Sequence, residues 1–169
     1  MVQKFLTNNA GAIQEVAANT SSAGAGDAGK LPALDGTGRL DTSFMPVGIG
    51  ADTAVIAATE AIATGRYVNI YDGGSGVFKC RNADASSGKP GYGFVLAPVT
   101  SGSNATIYFG GQNTQLTGLV PGDVYLSDTT PGSVTQTAPT TSGHIVQKLG
   151  PAISATTMDF NPSPPITLA

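Results

Sequence analysis

The stretch RYVNIYD, Arg66 to Asp72, decides the fold, together with the GGSG turn and the run VFKCR, Val77 to Arg81, that follow it. Side chains alternate across a strand, so Val68 and Ile70 of the first run share one face. In the second run, the apolar residues Phe78 and Cys80 lie on one face, and the cations Lys79 and Arg81 lie on the opposite face. Two alternating runs joined by a Gly-rich turn predict an antiparallel β-hairpin.

Similar runs recur along the chain after residue 50. Short β-branched and aromatic runs recur between Gly, Pro, Asn, Asp and Ser residues, which is typical of a sandwich or barrel. The runs besides the hairpin are AVIAA (54–58), YGFVLAPV (92–99), TIYF (106–109), DVYLS (123–127), SVTQT (133–137), HIVQKL (144–149) and TTMDF (156–160). We predict an all-β fold, a compact antiparallel β-sandwich or barrel of about eight or nine short strands. The sequence does not distinguish a sandwich from a barrel.

The first 50 residues differ from the rest. Their apolar residues come singly or in small groups, too few for a separate core, although short hairpins at NNAG and DGTG suit the turn chemistry. We therefore predict an extended N-terminal arm with short turns at residues 1–50 and a β domain at residues 51–169.

Composition narrows the classes of partner. Charged residues make up only 11% of the 169 residues and the net charge is −3, so no basic surface is available to bind nucleic acid. No run reaches the length of a membrane span and the N-terminus lacks the apolar core of a signal peptide, so we expect synthesis in the cytoplasm and no membrane partner.

The residues that carry enzymatic chemistry are sparse. His144 is the only histidine and Cys80 the only cysteine, which is too few for a closed zinc site or a recognisable nucleophile motif. Gly24, Gly26 and Gly29 have the G-x-G-x-x-G spacing of a dinucleotide turn, but neither a strand before them nor a helix after them is predicted. We predict no catalytic, cofactor-binding or metal-binding residues and no cofactor, which favours a structural protein and not an enzyme.

Several segments resemble proteins of tailed bacteriophages. DAGKLPALDGTGRLDTSFMP (27–46) is similar to a segment common in capsid decoration proteins and fibre-related virion proteins. GYGFVLAPVTSGSNATIYFGG, LVPGDVYLS, APTTSGHIVQKLGPAIS and the ending MDFNPSPPITLA resemble small capsid cement proteins. The resemblance spans most of residues 21–169 and consists of turn-and-strand patterns.

The resemblance implies a decoration (cement) protein on the outer surface of a virion capsid. Such a protein would be a homotrimer that bridges subunits of the major capsid protein. The arm would then bind the capsid, and we expect five apolar residues to be its anchors: Leu31, Leu34, Leu40, Phe44 and Met45. The alternative is that these residues cover the protein's own sheet. For the protein as a whole, the alternative is a tail fibre or baseplate component that binds a host receptor or glycan.

Overall fold

The computed structural model describes residues 3–45 and 51–169. Its contacts divide the chain into two compact units, Met1–Gly50 and Ala51–Ala169, at the place where the sequence texture changes. The structure is all-β, as predicted. No helix in the described ranges is long and apolar enough to cross a membrane.

The first unit contains one hairpin and two short 3₁₀ turns. Strands β1 (Lys4–Asn9) and β2 (Ala12–Ala17) pair antiparallel around the NNAG turn, and the 3₁₀ turns lie at Ala25–Asp27 and Thr42–Phe44. The described arm is therefore a hairpin followed by turns, and not extended throughout.

A closed barrel of five strands forms the first half of the second unit. Its strands are β3 (Thr53–Ala58), β4 (Tyr67–Asp72), β5 (Phe78–Asn82), β6 (Gly93–Phe94) and β7 (Asn104–Tyr108), in the order β3-β5-β4-β6-β7. The predicted hairpin is confirmed as β4 and β5, which pair from Val68 with Asn82 to Asp72 with Phe78. The pairing of β3 with β5 is parallel, although the fold was expected to be antiparallel.

A five-stranded antiparallel sheet forms the second half. It consists of β8 (Gly111–Asn113), β9 (Gly122–Leu126), β10 (Val134–Thr135), β12 (Lys148–Ala152) and β13 (Met158–Phe160), in the order β10-β9-β12-β13-β8. Between β10 and β12 along the chain lies β11 (Ile145–Val146), which pairs with β14 (Ile166–Thr167). The nine predicted runs of this unit all contain strand, and HIVQKL is divided between β11 and β12.

Two apolar clusters hold this unit together, and strand β4 contributes to both. Val68 and Cys80 lie in the barrel interior with Ala58, Ile62, Val95, Ala105 and Ile107. Tyr67 belongs to a second cluster, which joins Phe94 of the barrel to residues of the sheet: Val124, Leu126, Leu149, Met158 and Phe160. The second cluster therefore lies between the barrel and the sheet.

The first half of β4 is consequently buried on both faces. Tyr67 and Val68 have no solvent exposure, and Asn69 is buried as well. Burial raises the pKa of the Tyr67 hydroxyl, which accepts a hydrogen bond from Asn113 Nδ2 at 3.2 Å. Phe78 and Cys80 share a face of β5 but differ in burial. Phe78, the first residue of the strand, is 72% exposed, whereas Cys80 is fully buried.

Phe94→Ala and Phe78→Ala make a matched pair that tests this assignment of the core. Phe94 is 1% exposed and stacks on Tyr108 at 5.5 Å between ring centroids. We expect Phe94→Ala to lower the free energy of unfolding by about 3–5 kcal/mol, because it opens a cavity in the core. Phe78→Ala should change it by no more than about 0.5 kcal/mol. Urea denaturation of both variants measures the difference, and equal losses would contradict it.

Candidate functional site

The hairpin of the first unit is defined by its turn. Ala10 and Gly11 have φ angles of 52° and 91°, the left-handed pair that a two-residue hairpin turn with the right twist requires. Asn8 Oδ1 accepts a hydrogen bond from the Gly11 amide at 2.9 Å. The hairpin expected at NNAG is therefore confirmed.

One face of this hairpin presents apolar side chains to solvent. Leu6 lies opposite Glu15, and Ile13 lies opposite Asn8, so Leu6 and Ile13 are diagonal neighbours on the same face. Both are more than 60% exposed. These two residues were absent from the predicted anchors, because apolar residues fall on both faces of the hairpin and the sequence does not show which face is free.

The segment after the hairpin is fixed by main-chain bonds. The Asn19 amide donates to Leu31 O at 2.9 Å, and the Ala33 amide donates to Asn19 O at 2.7 Å. Ala33 is the single buried hydrophobic residue among those described in this unit. Hydrogen bonds and turns, and not an apolar core, therefore define its conformation.

The predicted anchors lie in this segment and beyond it. Four of them are exposed, and Phe44 is half-buried in the Thr42–Phe44 turn. These four residues and the two hairpin residues are large apolar side chains that are each 37–73% exposed. We call the six the exposed arm residues: Leu6, Ile13, Leu31, Leu34, Leu40 and Met45. Four of the five predicted anchors are thus exposed to solvent, and their role in binding a partner stays a prediction.

The DGTG segment forms a turn without flanking strands. Asp35 Oδ1 accepts hydrogen bonds from the Thr37 hydroxyl at 2.7 Å and from the amides of Thr37 and Arg39, and these bonds lower the pKa of the Asp35 carboxyl. Asp41 in turn accepts from the Ser43 amide. These bonds hold both aspartates of the loop within local turns.

The glycine turn at Gly24–Gly29 binds a carboxylate of its own chain. The Ala23 amide donates to Asp27 Oδ2 at 2.6 Å, and Lys30 Nζ lies 2.8 Å from Asp27 Oδ1. The helical turn that follows Gly24 is only three residues long. Asp27 is therefore bonded to an amide next to the turn, and among the described residues no helix long enough to bind a nucleotide phosphate follows the glycines.

The titratable residues of the second unit include a pair formed by the single histidine. His144 Nδ1 lies 3.0 Å from Asp128 Oδ2, a partner that the sequence did not indicate because sixteen residues separate the two. Burial raises the pKa of the Cys80 thiol, which therefore stays protonated. The described residues contain no group of three or more His, Cys, Asp or Glu side chains placed to hold a metal ion.

Comparisons with protein-family models, with curated proteins and with solved structures find no match to this chain.

The Asp27 carboxyl should titrate far below an ordinary aspartate. Its pKa is lowered from 3.8 to about 2, first by the Ala23 amide and then by Lys30. Because the folded pKa is depressed, the stabilisation is present above pH 4 and is lost as the pH falls toward 2. NMR titration of the Ala23 amide proton should show this midpoint, and Asp27→Asn should abolish it. A midpoint near 3.8 would contradict the assignment.

Proposed function

We propose that this chain is a structural virion protein that decorates and stabilises a tailed-bacteriophage capsid by bridging coat subunits. The observation that carries the proposal is the set of exposed arm residues in a unit whose described residues include one buried hydrophobic residue. The resemblance of residues 27–46 to virion proteins of tailed phages supports the assignment to a phage particle. The low content of charged residues suits packing against another protein.

The arm offers two kinds of contact to a coat protein. Burial of one leucine side chain contributes about 1.5–3 kcal/mol, so two or three exposed arm residues supply useful affinity. The hairpin also has an unpaired edge on each of its two strands among the described residues, and an extended coat segment can add to such an edge by main-chain pairing.

Assembly multiplies this affinity. We propose a homotrimer on the outer capsid surface, so that one bound arm raises the effective concentration of the other two without any new contact. The major capsid protein is the partner in this proposal.

Substitution of two arm leucines should weaken capsid binding. Leu31→Ser with Leu34→Ser removes two exposed side chains, and we expect affinity for capsids of the virus that encodes the chain to fall at least tenfold, or about 1.4 kcal/mol. Val55→Ser with Ile166→Ser is the matched control, because both residues are at least as exposed as the two leucines but lie in the second unit. Co-sedimentation with capsids measures both. Undiminished binding of the leucine variant would refute capsid binding through the arm.

The purified chain should be a trimer. Sedimentation equilibrium should give a mass three times that of the chain at micromolar concentration, because the proposed attachment by several arms requires the arms to be held together before they bind. A monomer at all concentrations would remove the trimer from the proposal.

The location on the virion distinguishes the proposal from its alternative. Immunogold labelling should mark the head at many positions. Label confined to the tail would instead favour a fibre or baseplate component that binds a host receptor or glycan.

A further inference from the structure

A polar cavity lies between the barrel and the sheet of the second unit. Its volume is about 200 Å³, and its lining includes Arg66, Gln115, Thr117 and Ser133 together with two glycines, Gly65 and Gly132. Gln115 and Thr117 are exposed, so the cavity opens to solvent on their side. The volume holds about six water molecules, which is too small for a nucleotide or a drug-sized ligand.

Arg66 brings an uncompensated positive charge to this cavity. Within the described residues no carboxylate forms an ion pair with it. Its Nη1 atom is enclosed by protein and has no hydrogen-bond partner there. A guanidinium that is partly withdrawn from water without a counter-charge is unfavourable, so an anion in the adjoining cavity would stabilise it.

The walls of the cavity are held in place by buried Asn113. Its Nδ2 donates to Gly65 O at 2.9 Å, and its Oδ1 accepts from the Gln115 amide at 3.1 Å. Both sides of the opening are thus tied to one fully buried side chain. A binding site whose walls are fixed in advance loses little conformational entropy when a ligand enters.

Two glycines allow the backbone to approach its neighbours closely at the wall of the cavity. Gly65 and Gly132 have φ angles of 75° and 72°, which side chains other than glycine rarely adopt. A Cβ at Gly132 would lie 3.1 Å from Arg66 Cβ and closer still to Asn82 Oδ1. The close approach of this backbone therefore depends on the absence of a side chain.

We propose that this cavity binds a carboxylate group through Arg66. Because Nη1 is enclosed, the edge of the guanidinium formed by Nε and Nη2 would bind the carboxylate. Ser133, Thr117 and Gln115 of the lining have hydroxyl and amide groups that could act as further donors. Arg66 is the one cation in the lining, which suits a single negative charge better than a phosphate dianion. This site is independent of the arm and of the proposed capsid function.

A titration with acetate against acetamide tests the site on the intact protein. The two molecules have nearly the same shape and differ in charge, so acetate should shift the Arg66 Nε–Hε NMR signal with a millimolar dissociation constant while acetamide should not. Sodium chloride at equal ionic strength controls for screening. Equal responses to acetate and chloride would overturn the proposal.

Substitution of Arg66 supplies the second arm of the test. Arg66→Gln should weaken acetate binding at least tenfold and abolish the rise in melting temperature that acetate gives the native protein. Arg81→Gln is the matched control, because Arg81 is already bonded to Asn69 Oδ1 and lies over the Tyr71 ring. If Arg66→Gln does not fold, the titration of the native protein still decides the proposal.

Two further ligands distinguish the possible sources of the carboxylate. Glucuronate represents a free acidic sugar, with glucose as its neutral control, and a blocked aspartyl dipeptide represents an acidic side chain of a protein. Binding of either supports the site and identifies its source. A high-resolution structure in acetate that shows ordered water alone beside Arg66 would refute it.

Discussion

The fold depends on one short segment, the start of β4, which packs on both of its faces. Tyr67 and Val68 are adjacent in sequence, point to opposite sides of the strand and are both fully buried. Tyr67 contacts the ring of Phe160 at 5.4 Å between centroids, which links the barrel to the sheet, whereas Val68 fills the barrel interior. A strand with water on one face could join only one cluster. Phe94 of β6 also packs on Phe160, at 5.6 Å between ring centroids, so β4 and β6 together couple the two halves of the unit.

The approach of β12 to β13 is a second constraint, and it depends on a glycine. The register between β12 and β9 shifts between Lys148 and Gly150, and Gly150 has a φ angle of 142°. A Cβ at this position would collide with Asp159 O. Leu149 lies at this irregularity and belongs to the second cluster, and its carbonyl accepts a hydrogen bond from the Asn161 amide at 2.9 Å.

Much of the β architecture could be predicted because its signals are local. Alternation identified RYVNIYD and VFKCR, and turn residues bounded the other runs. The strands that were missed, Gly111–Asn113 and Ile166–Thr167, are two or three residues long and carry polar or Pro-flanked sequence without alternation. The parallel pairing of β3 with β5, the burial of the Tyr67 face and the Arg66 cavity arise from contacts between distant segments, and no local pattern encodes these. The exposed arm residues were predicted in part, because sparse apolar residues indicate a segment without a core, whereas Leu6 and Ile13 required knowledge of which hairpin face is free.

The two units obtain their stability in different ways, and this difference bears on how the arm would act. The second unit buries large aromatic and aliphatic side chains in its own core, whereas the first orders its backbone through turns and bonds such as that from Ala23 to Asp27. A two-stranded hairpin is marginally stable by itself, so a surface that covers Leu6 and Ile13 would stabilise the hairpin and bind it in the same step. Few charges are available to steer such an encounter, so selectivity would come from the match of apolar side chains and main-chain edges. Binding of this kind is weak for one arm and strong for several arms held together, because ordering one arm places the next beside its own site.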